Sequence, residues 1–298
     1  MTMKIGVAGL GSMGYGIATS LLRAGHVVCG ADVNPHAVAR LRHVGAMAGS
    51  LADAAAGLDA LAVVVLNAAQ VEAVLFGADG IAPLLRKGAV VICCVTVAPD
   101  FARAMAAQCK GLDLLYLDAP ISGGSVKAAN GKLAIMASGA PAAFAAARPM
   151  LDACAEKVFE LGDAAGAGSA MKAVNQMLAG VHIAAMAEAL TFGMTQGIDP
   201  ATFLQVIPDC AGTSWMLENR APHIVAGDYT PHSAVDIWPK DLGIVLDAAR
   251  AAKFAAPLTA AAMQQFVAAS GSGMGRQDDA AVAKVYARNA GLTLPGDA

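Results

Sequence analysis

Short apolar runs alternate with stretches of helical periodicity over about the first 160 positions of the chain. The runs at 4–8, 27–31, 62–66, 90–95, 114–118, 133–138 and 158–161 are continuous rather than alternating. Strands buried on both faces of a sheet have that pattern. Helical stretches at 15–24, 35–44 and 101–110 lie among them. Alternating β and α segments with apolar strands predict a parallel, doubly wound sheet. Beyond Gly168 no strand is expected, and 169–196, 200–207, 239–252, 258–270 and 278–290 all read as helix. Pro200 and Pro257 fall in first turns, where a missing N–H costs nothing. The Gly/Ala-rich connection at 162–168 divides the two patterns. The expected organisation is an α/β domain over 1–164, then an all-helical domain over 165–298 that opens with one long interdomain helix.

Composition narrows the function classes. The 298 residues are 57% hydrophobic and 14% charged, the reverse of a disordered chain. The net charge is −3 and no Lys/Arg cluster occurs, so no nucleic-acid partner is expected. Six cysteines form no CxxC pair and no Cys/His ligand spacing, which predicts reduced packing residues and no metal. A mean hydropathy of +0.56 raises the question of a membrane. The longest apolar stretch, 170–196, carries Lys172, Asn175, Gln176, His182 and Glu188. A charged group at the centre of a span costs roughly 2.5–3.5 kcal/mol, so the stretch reads as a buried helix and no membrane partner is expected. The N-terminus enters a strand directly, with no apolar signal region and cleavage site, and a cytoplasmic location follows as the expectation.

Residues Gly9-Leu10-Gly11-Ser12-Met13-Gly14 form a GxGxxG between the first strand and the first helix. In that context Gly9 allows the tight turn, Gly11 lets backbone approach a pyrophosphate, and Gly14 lets helix and strand pack closely. The helix N-terminus then faces the phosphates. The second strand ends at Asp32, followed by Asn34 and Pro35 with no adjacent Arg. A carboxylate there accepts from ribose hydroxyls and repels a 2′-phosphate, which favours NAD over NADP. The fold expected from this layout is Rossmann-like.

Three further segments carry a resemblance. Residues 118–124 read Asp-Ala-Pro-Ile-Ser-Gly-Gly, 166–176 read Gly-Ala-Gly-Ser-Ala-Met-Lys-Ala-Val-Asn-Gln, and 240–242 read Lys-Asp-Leu. In this order they resemble the substrate, catalytic and late Lys-Asp-Leu segments of the β-hydroxyacid dehydrogenases, relatives of 3-hydroxyisobutyrate dehydrogenase. Within that family, 212–220 and 227–231 look most like the L-threonate dehydrogenases, which oxidise a four-carbon sugar acid at C2. The resemblance implies a small hydroxy-acid substrate and a nicotinamide cofactor. It places Ser122, Gly123 and Gly124 on the substrate carboxylate, a role that Gly backbone N–H groups and a hydroxyl can fill. It makes Lys172 the proton acceptor. A free lysine titrates far above neutral pH, but apolar burial disfavours its charged form, so a neutral amine can take the hydroxyl proton.

The family has Asn four residues after this lysine, whereas this chain has Asn175 at +3 and Gln176 at +4. Both share the face of Lys172; either can be its partner, and Asn175 is preferred. The resemblance also assigns Thr96, Leu66, Asn67 and Lys240 to the cofactor. Here Val95 replaces the family's Ser and Asn67 its Pro, which leaves Leu66 and Asn67 a backbone role. Trp215 and Trp238 can line the substrate mouth or pack in a core. A helical domain this apolar is expected to bury surface against another copy, as a homodimer or homotetramer. Rival readings are 3-hydroxyisobutyrate or tartronate semialdehyde chemistry, imine reduction, and a non-catalytic dinucleotide-binding scaffold. Retention of Lys172 and of the Ser-Gly-Gly turn argues against the scaffold; enzymes of imine reduction usually carry a different residue where Lys172 stands and prefer NADP.

Overall fold

The computed structural model describes residues 2–297. Contacts divide the chain into two units, Met1–Lys172 and Ala173–Ala298, so the division falls inside the long helix rather than ahead of it.

In the first unit, β1 (Lys4–Ala8), β2 (Val27–Ala31), β3 (Ala60–Val63), β4 (Val90–Cys93) and β5 (Leu115–Asp118) form one sheet in the order β2-β1-β3-β4-β5. Every neighbouring pair is parallel. The helices are α1 (Ser12–Arg23), α2 (Pro35–His43), α3 (Leu51–Ala54), α4 (Ala68–Phe76), α5 (Pro99–Gly111), α6 (Gly124–Ala129) and α7 (Pro141–Cys154). All four residues of β3 and of β4 are buried, and alternate side chains feed two cores. Ala60, Ala62, Val90 and Ile92 join Ile17 and Leu21 of α1 on one side. Leu61, Val63, Val91 and Cys93 join Val71, Leu75 and Met105 on the other. The chain leaves β1 for β2 on one side and returns to β3 on the other. That reversal opens a crevice beyond the carboxyl ends of β1 and β3, the place where such sheets take ligands.

The later apolar runs do not extend this sheet. They form a second one, β6 (Ile121–Ser122), β7 (Leu133–Ala137) and β8 (Ala155–Glu160), in which β6–β7 is antiparallel and β7–β8 parallel. Gly123 and Gly124, at φ 131° and 75°, turn the chain back after β6. Such φ values are open to glycine and costly for other residues.

The long helix is α8 (Ala167–Thr195). The helices α9 (Pro200–Val206), α10 (Trp215–Ala226), α11 (Ile237–Ala251), α12 (Pro257–Ala269) and α13 (Ala283–Asn289) follow it, with no strand among the described residues after β8. Ile183, Leu190, Phe203, Ile224, Trp238, Leu242 and Phe266 share the core of the second unit. Gly180 permits the approach of α8 to α11, since a Cβ there would lie 2.9 Å from Leu242 and 3.0 Å from Trp238. Trp238 is a core residue: it stacks on Phe266 at 5.4 Å and donates its indole N–H to Asp279. Trp215 is exposed. By length and composition α8 could cross a membrane: an 18-residue stretch of it has a mean hydropathy of 1.4, and 44% of that stretch is buried within the protein. Lys172, Gln176 and Thr191 are among its buried residues.

Candidate active site

The Gly loop begins where β1 ends. The Gly9 N–H donates to Ala31 O at 2.8 Å, and φ at Gly9 is 94°. A Cβ at Gly9 would fall 2.6 Å from Val64 O, and one at Gly14 would fall 1.9 Å from Gly9 O. Packing therefore demands glycine at both positions. At Gly11 a Cβ would meet nothing within 4 Å. No contact inside the protein requires that glycine, and close approach by a pyrophosphate would. Gly11 is the N-cap of α1, with no side-chain cap and no acidic residue in the first turn. The first N–H groups of the helix, from Ser12, Met13 and Gly14, are thus left to an anion.

Asp32 joins the second strand to this loop. Its Oδ2 accepts from Leu10 N–H at 2.6 Å and its Oδ1 from Asn34 N–H at 2.8 Å. Carboxylate oxygens have two acceptor sites each, so capacity remains for ribose hydroxyls. The chemistry of Gly9 to Gly14 and Asp32 fits a dinucleotide. Asn67 puts its side chain to another use: its Oδ1 caps α4 by accepting from Gln70 N–H, while Leu66 N–H donates to Gln70 Oε1 at 2.8 Å. Thr96 is half-buried just past β4.

Ser122 ends β6 and is half-buried, and Gly124 is exposed. A Cβ on Gly124 would meet nothing, so the demand for glycine there is conformational. At Gly123 contact adds to that demand, because a Cβ there would lie 2.9 Å from Lys127 Cδ.

Sequence reasoning missed the group that holds the start of α8. Asp118, at the end of β5, is fully buried. Its Oδ2 accepts from Gly166 N–H and Ser169 N–H, both at 2.9 Å, and from the Ser138 hydroxyl at 3.2 Å. Its Oδ1 accepts from the Ser169 hydroxyl at 2.7 Å, and Ser138 Oγ accepts from Gly168 N–H. A carboxylate that satisfies orphan N–H groups at a helix N-terminus is favourable on both hydrogen-bond and dipole grounds. Gly168 has no room for a side chain, because a Cβ would lie 2.4 Å from Met136 O. Lys172 follows Ser169 by three residues on the helix so anchored, and is 7% exposed. The available signal was the acid that opens the 118–124 segment.

In the second unit, Gln176 is 7% exposed and Asp241 2%. Gln176 Nε2 donates to Asp241 Oδ2 at 2.5 Å, and Asn175 Nδ2 donates to Gln176 Oε1 at 2.9 Å. Lys240 Nζ lies 2.7 Å from Asp241 Oδ1. Asn175, Gln176 and Lys240 are thus gathered around a carboxylate that had no assigned role. Among the described residues no group of His, Cys, Asp and Glu could hold a metal.

Comparison with known proteins covers both units. Residues 4–162 match a family model described as the NAD binding domain of 6-phosphogluconate dehydrogenase. Residues 166–286 match one described as NAD-binding of NADP-dependent 3-hydroxyisobutyrate dehydrogenase. The chain is 50% identical over 299 residues to the L-threonate dehydrogenase of Cupriavidus necator, with 100% of each covered. It is 49% identical over 294 residues to that of Escherichia coli, covering 98% of this chain and 96% of the relative. A solved structure of 3-hydroxyisobutyrate dehydrogenase from Salmonella typhimurium aligns with a TM-score of 0.90 at 49% identity, covering 95% of this chain and 99% of that one.

Proposed function

The chain belongs to the β-hydroxyacid dehydrogenase family, and from that membership we propose that it oxidises L-threonate at C2 to the 2-oxo acid, with Lys172 as acid/base and NAD as cofactor. It is an oxidoreductase acting on a hydroxyl group and uses a nicotinamide dinucleotide. The observation that carries the substrate reading is the pair of L-threonate dehydrogenases near half identity over their whole lengths. The Salmonella structure favours 3-hydroxyisobutyrate as the second reading.

The bound nicotinamide supplies the hydride acceptor. The residues of the chain supply the rest. The Ser122 hydroxyl and the Gly123–Gly124 turn hold the substrate carboxylate. The buried Lys172 amine, in its neutral form, takes the C2 hydroxyl proton as the C2–H bond gives up its electron pair; in the reverse direction the ammonium returns that proton to the carbonyl oxygen. Asn175, with Gln176 behind it, orients the substrate hydroxyls. Gly9 to Gly14, Asp32, Leu66, Asn67, Thr96 and Lys240 serve the dinucleotide. The Asp32 carboxylate, bonded to Leu10 N–H, supports NAD because it would repel a 2′-phosphate.

A panel of three- and four-carbon hydroxy acids, run with NAD and with NADP and followed by nicotinamide absorbance, tests this reading. The expected result is the highest kcat/KM with L-threonate and NAD. Preference for 3-hydroxyisobutyrate would favour the second reading, and dinucleotide binding with no reduction across the panel would leave only a scaffold.

Association with a second copy is part of the proposal, as a homodimer or homotetramer. Met171, Val174, Leu178 and Phe192 leave exposed apolar surface along α8. A mass near 29.8 kDa by light scattering would contradict it. The six unpaired cysteines, five of them buried, support a reducing compartment and hence the cytoplasm; activity recovered only in a secreted or membrane fraction would oppose that.

A further inference from the structure

The two amides on α8 have a definite polarity, and its source lies on α11. We propose that Asp241 is a positioning residue which, through Gln176, fixes the Asn175 amide so that its Oδ1 is the acceptor offered to a substrate hydroxyl. This deepens the reading above and rests on it.

An amide pair by itself has no fixed direction, since exchanging O and N on both side chains leaves an equally good hydrogen bond. A carboxylate breaks that symmetry because it only accepts. Asp241 is paired with Lys240 at 2.7 Å and takes its bond from Gln176 Nε2. Gln176 must then turn Oε1 toward Asn175, and Asn175 must donate through Nδ2. What remains of the Asn175 amide is its carbonyl oxygen and one N–H. A polyhydroxy acid presents donors along its carbon chain, and a fixed acceptor is what selects them. Asp241 and Gln176 are both buried, so water cannot substitute for a misdirected partner. The common family residue at +4 is Asn; the longer Gln176 reaches Asp241 and passes the polarity back to Asn175.

The test is a polarity swap. In Gln176→Glu two carboxylates face each other, and in Asp241→Asn the amide direction is no longer imposed. Each is expected to lose at least about tenfold in kcat/KM for the hydroxy acid. The double variant restores one direction: the amide N–H of the Asn side chain at 241 donates to the carboxylate at 176, which still accepts from Asn175 Nδ2. It is expected to recover to within about threefold of the unaltered protein. A merely structural part for Asp241 predicts that the two losses multiply, and that result overturns the proposal. So do single variants with unchanged kcat/KM.

A second measurement needs no variant and no turnover. Selective 15N labelling of Asn and Gln should show one exchange-protected side-chain amide proton on Asn175 and one on Gln176, and the absence of either overturns the proposal. Both readouts are separate from the Lys172 assignment, whose failure would appear as an active Lys172→Ala enzyme with the swap behaviour intact.

Discussion

Lys172→Ala is expected to lower kcat for hydroxy-acid oxidation by about 10²–10⁴-fold, the usual worth of a positioned general base, while dinucleotide binding is retained. The Gly loop and Asp32 that serve the dinucleotide form a self-contained set of bonds around β1 and β2, from Gly9 N–H to Ala31 O and from Leu10 N–H to Asp32. Alanine at 172 leaves those bonds in place and removes only the amine. Lys172→Arg should not restore turnover, because a guanidinium does not deprotonate in a protein. Steady-state rates together with a titration of NAD binding by fluorescence check both halves. Turnover at the unaltered rate would remove Lys172 from the chemistry.

Asp118→Ala is expected to cost more than about 3 kcal/mol of stability. It deprives four buried donors of their acceptor at once: Gly166 N–H, Ser169 N–H and the hydroxyls of Ser169 and Ser138. Leaving one buried donor unsatisfied costs about 1–3 kcal/mol, and partial rearrangement keeps the sum below the simple total. The same change frees the first turn of α8, three residues before Lys172, so folded Asp118→Ala protein should also lose turnover. A urea titration compared with the unaltered protein measures the first effect. A midpoint that does not move would mean that Asp118 does not hold the helix.

Much of this architecture was legible in the chain, and the exceptions have physical causes. Strands β1 and β2 coincide with the apolar runs at 4–8 and 27–31 because they are bounded sharply by Gly9 and by Asp32. The run at 62–66 misplaces β3, which ends at Val63. Val64 and Val65 pack against the two cores from the loop, with Val64 O beside Gly9, and Leu66 is exposed. Helix α7 passes unnoticed because alanine-rich sequence gives no periodic contrast and Pro149 lies inside it; Pro222 hides α10 in the same way. The two-residue strand β6 is too short to show a pattern.

The site divides along similar lines. Local motifs such as the Gly loop and the Ser-Gly-Gly turn declare themselves, because their glycines other than Gly11 are demanded by φ or by contact. The roles of Asp118 and Asp241 depend on partners about fifty and sixty-five positions away, Gly166 and Ser169 for one and Gln176 for the other. No local pattern in the chain reports such a pairing.

The most direct measurement of the central claim uses L-threonate carrying deuterium at C2, oxidised by the unaltered protein with NAD. Hydride loss from C2 predicts reduced nicotinamide that contains the deuterium, together with a 2-oxo acid product. Reduced nicotinamide without deuterium, or no reduction at all, would contradict it.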